Sequence, residues 1–187
     1  MFNINTQHTI TYSQPQKLIK VLKTQQEQKN LFEKNSKFDK LITKIKTNEE
    51  LSNIEIIKEL PKGSSALVFE TADGNILKIT KDNHFPQNRP HENFDVPIFK
   101  KGKIGGLYYY IEEKLYQHGL SEEFTRIIKD KIVEAGYKPF DIWDSDINQI
   151  GFSKDGKLYL LDPECARFKT PIHAFFKKLK NFLKNIN

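Results

Sequence analysis

The spacing of apolar residues changes twice along the chain and so marks three regions. In residues 1–50 the apolar positions fall at helical spacing from Pro15 onward, which predicts helices near 15–33 and 36–46. The segment 47–50 has the form of a capping box and predicts one further helical turn. We therefore expect an N-terminal helical appendage in this region.

Residues 51–115 consist of short β-branched and aromatic runs separated by turn signals, the pattern of a sheet. The pair Asp73-Gly74 between two runs is typical of a hairpin. These runs predict a five-stranded antiparallel sheet with strands at 54–57, 67–69, 76–79, 96–99 and 107–111.

Residues 116–187 begin with a predicted helix from Ser121 to Gly136. Its apolar face is expected to hold Phe124, Ile127, Ile128, Ile132 and Val133.

An Asp-rich loop at 139–149 follows, and then a hairpin with strands at 149–153 and 157–161. The tail, 171–186, has the pattern of a basic amphipathic helix that either packs on its own domain or lies on an anionic membrane. The chain as a whole is predicted to be α+β.

Composition narrows the class of protein. The length of 187 residues suits one domain with an appendage, and 14 Phe and 7 Tyr provide a core. The single cysteine, Cys165, excludes an intrachain disulfide and suits a reducing cytoplasm. No apolar run approaches the length of a membrane span, and the polar N-terminus does not have the pattern of a signal peptide.

The net charge of +6 is concentrated in the segments 17–46 and 169–184. These basic ends are either solvated helix faces or surfaces for an acidic partner. We expect these ends to bind a protein partner rather than an anionic membrane or nucleic acid.

Small residues lie between the first two predicted strands. This segment resembles the glycine-rich loop of protein kinases, G-x-G-x-x-G-x-V, with Gly63 at the middle glycine and Val68 at the valine. Pro61 and Ala66 replace the other two glycines, and Pro61 removes one backbone donor. The resemblance implies a phosphate-binding loop formed by Gly63, Ser64 and Ser65.

Lys78 is flanked by apolar residues in the third predicted strand and resembles the kinase lysine that holds the α- and β-phosphates. Kinases pair this lysine with a glutamate from a helix, and Glu92 is the candidate here. Pro86 and Pro90 reduce that helix to a turn or remove it. The strand that ends at Glu112 and continues to Lys114 resembles the kinase hinge, which implies that these two residues contact the nucleotide.

The Asp-rich loop and the hairpin after it resemble the catalytic and metal-binding loops of kinase-like proteins. Asp144 and Gln149 have the i, i+5 spacing of D-x-x-x-x-N, and Asp162 follows the hairpin where the D-F-G aspartate stands. The resemblance implies that Asp144 acts as the catalytic residue and that Gln149 and Asp162 hold Mg²⁺ with ATP. It also implies a kinase-like N-lobe at 51–115 and a truncated helical C-lobe at 116–187.

Several positions depart from the kinase pattern. Ile142 replaces the histidine of H-R-D, Gln149 replaces the metal-binding asparagine, and Pro163-Glu164 replaces Phe-Gly. Asp146 is a possible substitute ligand two positions after Asp144. The departures favour a degenerate, nucleotide-binding kinase-like protein that acts as a protein-interaction or regulatory module. The alternative is a small active phosphotransferase on a protein or small-molecule hydroxyl.

The Asp-rich loop has other interpretations. Asp144-x-Asp146-x-Asn148 begins like a calcium-binding EF-hand loop, but glycine is missing at the sixth position and Asp155 stands at the twelfth. A glycosyltransferase metal motif would be preceded by a βαβ pattern, which this sequence does not have. A loop whose carboxylates only cap turns is the remaining structural interpretation.

Overall fold

The computed structural model describes residues 9–28, 35–61, 66–81, 95–117, 121–134, 137–139, 149–161 and 166–168. The chain divides into two compact units. The first comprises Met1–Asn83 and Pro97–Lys114, and the second comprises His84–Val96 and Leu115–Asn187.

The first unit contains an antiparallel sheet whose strands follow the order β1-β2-β3-β4-β6-β5. This arrangement confirms the α+β class, but the sheet has six strands among the described residues, so the predicted number of five was wrong. Five of them overlap predicted runs, although β5 begins and ends later than the predicted 96–99. The strands are β1 Ile10–Lys17, β2 Glu55–Glu59, β3 Ala66–Thr71, β4 Ile76–Thr80, β5 Ile98–Ile104 and β6 Leu107–Glu112.

The strand that the sequence did not predict, β1, occupies the start of the predicted helix 15–33. It pairs with β2, with a register shift between Thr11 and Gln16. Pro15 is tolerated because β1 is an edge strand, where a missing N–H need not break the ladder. The Tyr12 hydroxyl donates a hydrogen bond to the Glu59 carboxylate on β2, which ties the strand to the sheet.

In the part of the first unit that the structure describes, three helices pack on one face of the sheet: α1 Leu18–Gln28, α2 Asn35–Thr47 and α3 Glu49–Ser52. The further turn predicted at 47–50 is α3, but its N-cap is Asn48, whose side chain accepts from Leu51 N at 2.8 Å. Among the described helices, none is both long enough and apolar enough to cross a bilayer. The core that joins helices and sheet contains Leu18, Leu22, Leu41, Ile45, Leu51, Ile56, Phe69, Leu77 and Ile79.

The second unit contains the helix α4, Glu122–Glu134, and the hairpin of β8 Ile150–Phe152 and β9 Leu158–Leu160, both as predicted. A second pair joins β7 Tyr137–Pro139 to β10 Ala166–Phe168. Pro139, the first residue of the loop predicted at 139–149, therefore belongs to a strand.

The predicted apolar face of α4 is correct only in part. Ile128 and Ile132 are fully buried against Ile150 and Leu160, whereas Ile127 and Val133 are 37% and 48% exposed. The predicted helix end at Gly136, most of the Asp-rich loop and the C-terminal helix 171–186 lie outside the described residues.

Candidate functional site

The two faces of the sheet differ in character. Because directly paired residues of neighbouring strands point to the same side, Val68, Lys78 and Tyr110 share one face. The residues that alternate with them, such as Leu77 and Ile79, pack on the helices. Lys78 therefore lies on the face that points away from the helical layer.

This second face, which we call the polar face, carries buried polar groups. Thr80, Glu112 and Glu70 are only 1%, 3% and 8% exposed. Glu70 and Glu112 are both in register with Ile76, one on each side of it. Buried carboxylates need charged or hydrogen-bonding partners, and two lysines provide them.

Lys78, which is partly exposed, forms an ion pair with the buried Glu112. Lys78 Nζ lies 2.6 Å from Glu112 Oε1, and the two side chains are 16% and 4% exposed. Lys78 is in register with Tyr110, so Glu112 is its diagonal neighbour two residues along β6 on the same face.

A second ion pair lies on the same face. Lys114 Nζ lies 2.6 Å from Glu70 Oε1, with side-chain exposures of 30% and 11%. Lys114 follows the end of β6, and its side chain reaches β3 on the far side of β4. Three of the nucleotide-contacting residues expected from the sequence, Lys78, Glu112 and Lys114, are thus brought to one face.

The predicted phosphate loop connects β2 to β3. Leu60 N, before the loop, donates a hydrogen bond to Val68 O, after the loop, at 3.0 Å. This bond joins the two sides of the hairpin. Ala66 is paired with Thr80 at the loop end, and Lys78 lies two residue pairs further in, opposite Val68. Gly63, Ser64 and Ser65 themselves lie outside the described residues.

Gln149 belongs to the second unit, at the start of the β8–β9 hairpin. Its carbonyl oxygen accepts a hydrogen bond from Leu161 N at 2.8 Å, and Leu161 directly precedes Asp162 in the chain. Of the two predicted Mg²⁺ ligands the structure describes Gln149. Within the described ranges no group of three or more acidic, histidine or cysteine side chains is placed to hold a metal.

The other predicted site residues, Glu92, Asp144, Asp146 and Asp162, lie outside the described residues.

A cleft of about 410 Å³ opens on the helical side of the sheet. It lies at the Thr71–Asn75 turn and is lined by side chains that include Ile54, Phe99 and Ile111. Ile54 and Ile111 pack against the core that joins the helices to the sheet, so this cleft is separate from the polar face.

Sequence reasoning missed the roles of Glu70 and Glu112 as ion-pair partners. Both are acidic residues in strands that are otherwise mostly apolar or aromatic, and a carboxylate in such a strand is buried only when it is paired. No family model matches the chain, and no curated protein sequence is significantly similar to it.

Proposed function

We propose that the protein is a degenerate kinase-like nucleotide-binding protein that acts mainly as a protein-interaction or regulatory module. One observation carries this proposal. Lys78 lies on the polar face, two residue pairs inward from the end of the β2–β3 hairpin that carries the glycine-bearing loop. An ammonium in that position suits the phosphates of a nucleotide held under the loop.

The interaction role is supported by the outer surface of the helical layer. Lys20, Lys23, Lys40 and Lys44 are exposed on α1 and α2, whereas the apolar residues of these helices pack on the sheet. A basic surface of this kind favours an acidic protein partner.

The first test compares ATP-induced changes in melting temperature for the wild type, Lys78→Met and Lys81→Met. Lys81 is an exposed lysine just beyond β4, so it is a matched control. At ATP a hundredfold above Kd, binding adds about 2.7 kcal/mol to the unfolding free energy. We expect the shift in the wild type and Lys81→Met and its loss in Lys78→Met. No shift in the wild type would reject the proposal.

The alternative is an active phosphotransferase, and the hydrogen bond between Leu161 N and Gln149 O favours it. Gln149 and Asp162 are the two expected Mg²⁺ ligands. The hydrogen bond connects the backbone of Gln149 to that of Leu161, the residue before Asp162. In this alternative the bond between the γ-phosphorus and the ADP oxygen breaks, the acceptor hydroxyl oxygen takes the phosphoryl group, and Asp144 takes the hydroxyl proton.

Metal dependence separates these two functions. ATP binding that is equally tight with and without Mg²⁺ supports the interaction module. Mg²⁺-dependent binding with ADP formation supports the phosphotransferase, and Asp162→Ala is then expected to abolish both. An Asp162→Ala protein that keeps the wild-type shift and turnover would count against Asp162 as a ligand.

A further inference from the structure

The partner of Lys78 is supplied by a strand of the same sheet. Glu112 lies on β6, which is hydrogen-bonded directly to β4 through the register Lys78 to Tyr110. Neighbouring strands lie about 4.8 Å apart, and their ladder fixes that separation. The distance between the two side chains is therefore set by the sheet.

Burial makes this pair costly to break. Glu112 is 4% exposed, and the removal of one charge from a buried pair leaves the other charge uncompensated. The surrounding strand residues restrict the pair further, because Ile76, which is directly opposite Glu112, and Tyr110 are both buried. The lysine side chain is thus held over the polar face.

We propose that Glu112 is the positioning residue for Lys78: it orients the ammonium on the polar face so that the ammonium meets the phosphates of a bound nucleotide. The inference rests on the proposed phosphate-binding function of Lys78. It assigns to strand β6 the task that kinases give to a glutamate on a helix. Because β6 is hydrogen-bonded to β4, the ion pair is in place before nucleotide binds.

The experiment uses the full chain and the variants Glu112→Gln, Glu112→Asp, Glu92→Gln and Glu55→Gln. Glu55→Gln is the charge control, since the Glu55 side chain is 44% exposed and its carboxylate pairs with Lys17. The first measurement is the Lys78 ammonium signal in a ¹H–¹⁵N spectrum without nucleotide. An ion-paired, partly buried ammonium exchanges its protons more slowly than a free one and gives a signal, which we expect to disappear in Glu112→Gln and to persist in Glu55→Gln.

The second measurement is ATP affinity by calorimetry. Glu112→Gln is expected to raise Kd about tenfold, the effect of one misplaced charge-assisted hydrogen bond, while Glu55→Gln leaves Kd unchanged. Glu112→Asp keeps the charge and should recover part of the loss. If Glu112→Gln fails to fold, Glu112→Asp provides the test. We expect it to give a weaker ammonium signal and a higher ATP Kd than the wild type.

An unchanged ammonium signal and Kd in Glu112→Gln would overturn the inference, most clearly if Glu92→Gln weakened binding instead. Absence of ATP binding in the wild type would reject the proposed function. The ammonium signal would then still report whether Glu112 holds Lys78, so the two failures are distinguishable.

Discussion

Two hairpin turns use the same residue-level chemistry. In the β3–β4 turn, Thr71 Oγ1 donates to the Asp73 carboxylate and accepts from Asn75 N at 3.1 Å. In the β8–β9 turn, Ser153 Oγ donates to the Asp155 carboxylate and accepts from Lys157 N at 3.0 Å. Gly74 and Gly156 follow the aspartates with φ of 84° and 80°, values that favour glycine. The Asp-Gly pairs in the sequence predicted both turns for this reason.

The aspartate in the second turn is expected to titrate unusually low. The Ser153 hydroxyl and then Lys157 lower the pKa of Asp155 to about 2. A depressed carboxyl pKa stabilises the fold above the unfolded value of about 3.9, and that contribution is lost as the pH falls through about 2. A ¹³C titration of the carboxyl carbon should show this midpoint and a rise toward the ordinary value in Ser153→Ala.

Thr71→Ala is the matched control for this titration. The Thr71 hydroxyl is the main cause of the lowered pKa of Asp73, so this variant should raise the Asp73 midpoint and leave Asp155 unaltered. Equal Asp155 midpoints in wild type and Ser153→Ala would contradict the assignment.

At the scale of elements, both edges of the sheet carry features that oppose pairing with another chain. The edge strand β1 contains Pro15 and a shift in register, and the edge strand β5 exposes Lys100, Lys101 and Lys103. Charged and proline-bearing edges discourage strand addition. The sheet can therefore end at β1 and β5 without a partner strand.

The β5–β6 turn approaches a helix closely. Gly105 and Gly106 have φ of 58° and 86°, and a Cβ on Gly105 would lie 2.9 Å from Leu41 Cα of α2. A Cβ on Gly106 would meet no atom within 4 Å. A side chain at Gly106 would therefore cause backbone strain alone, whereas a side chain at Gly105 would cause backbone strain and a clash with α2.

We expect Gly106→Ala to lower the unfolding free energy by about 1–2 kcal/mol, the cost of a left-handed conformation for a residue with a Cβ. Gly105→Ala should cost a further 1–3 kcal/mol or so, because α2 must shift. Urea unfolding of both variants measures the difference. Equal losses would show that α2 does not contact the turn.

At the scale of the molecule, the helices of residues 1–50 belong to the same core as the sheet of the first unit. Leu41 and Ile45 on α2 are fully buried and pack with Phe69 and Leu77 of the strands. The sequence predicted the helices of this region as an N-terminal appendage. The structure joins them to the sheet because their apolar stripe and one sheet face can exclude water only together.

Truncation of one side chain tests this layer. Ile45→Ala removes buried methyl groups and should lower the unfolding free energy by about 2–4 kcal/mol. Thr43→Ala, at an exposed position on the same helix, should change it by less than about 0.5 kcal/mol. Urea unfolding followed by circular dichroism gives both values, and similar stability of the two variants would contradict the packing.

The local pattern of residues was sufficient for most elements. Short β-branched and aromatic runs with Asp-Gly pairs predicted β2, β3, β4, β6 and the β8–β9 hairpin, and helical spacing predicted α2 and α4. It failed at β1, because a short polar segment with Pro15 has no clear period of its own. Its conformation is decided by pairing with β2, which lies far away in the chain.

The sequence by itself therefore determined the α+β class, the hairpins and Lys78 as the candidate phosphate ligand. Only the tertiary structure decided that Glu112 is a partner of Lys78. The sheet order β4-β6-β5 does not follow the chain, so β6 rather than β5 lies beside β4. Strand order is fixed by burial and hydrogen bonding between residues that are far apart in the chain. These contacts produce no periodic pattern in the local sequence.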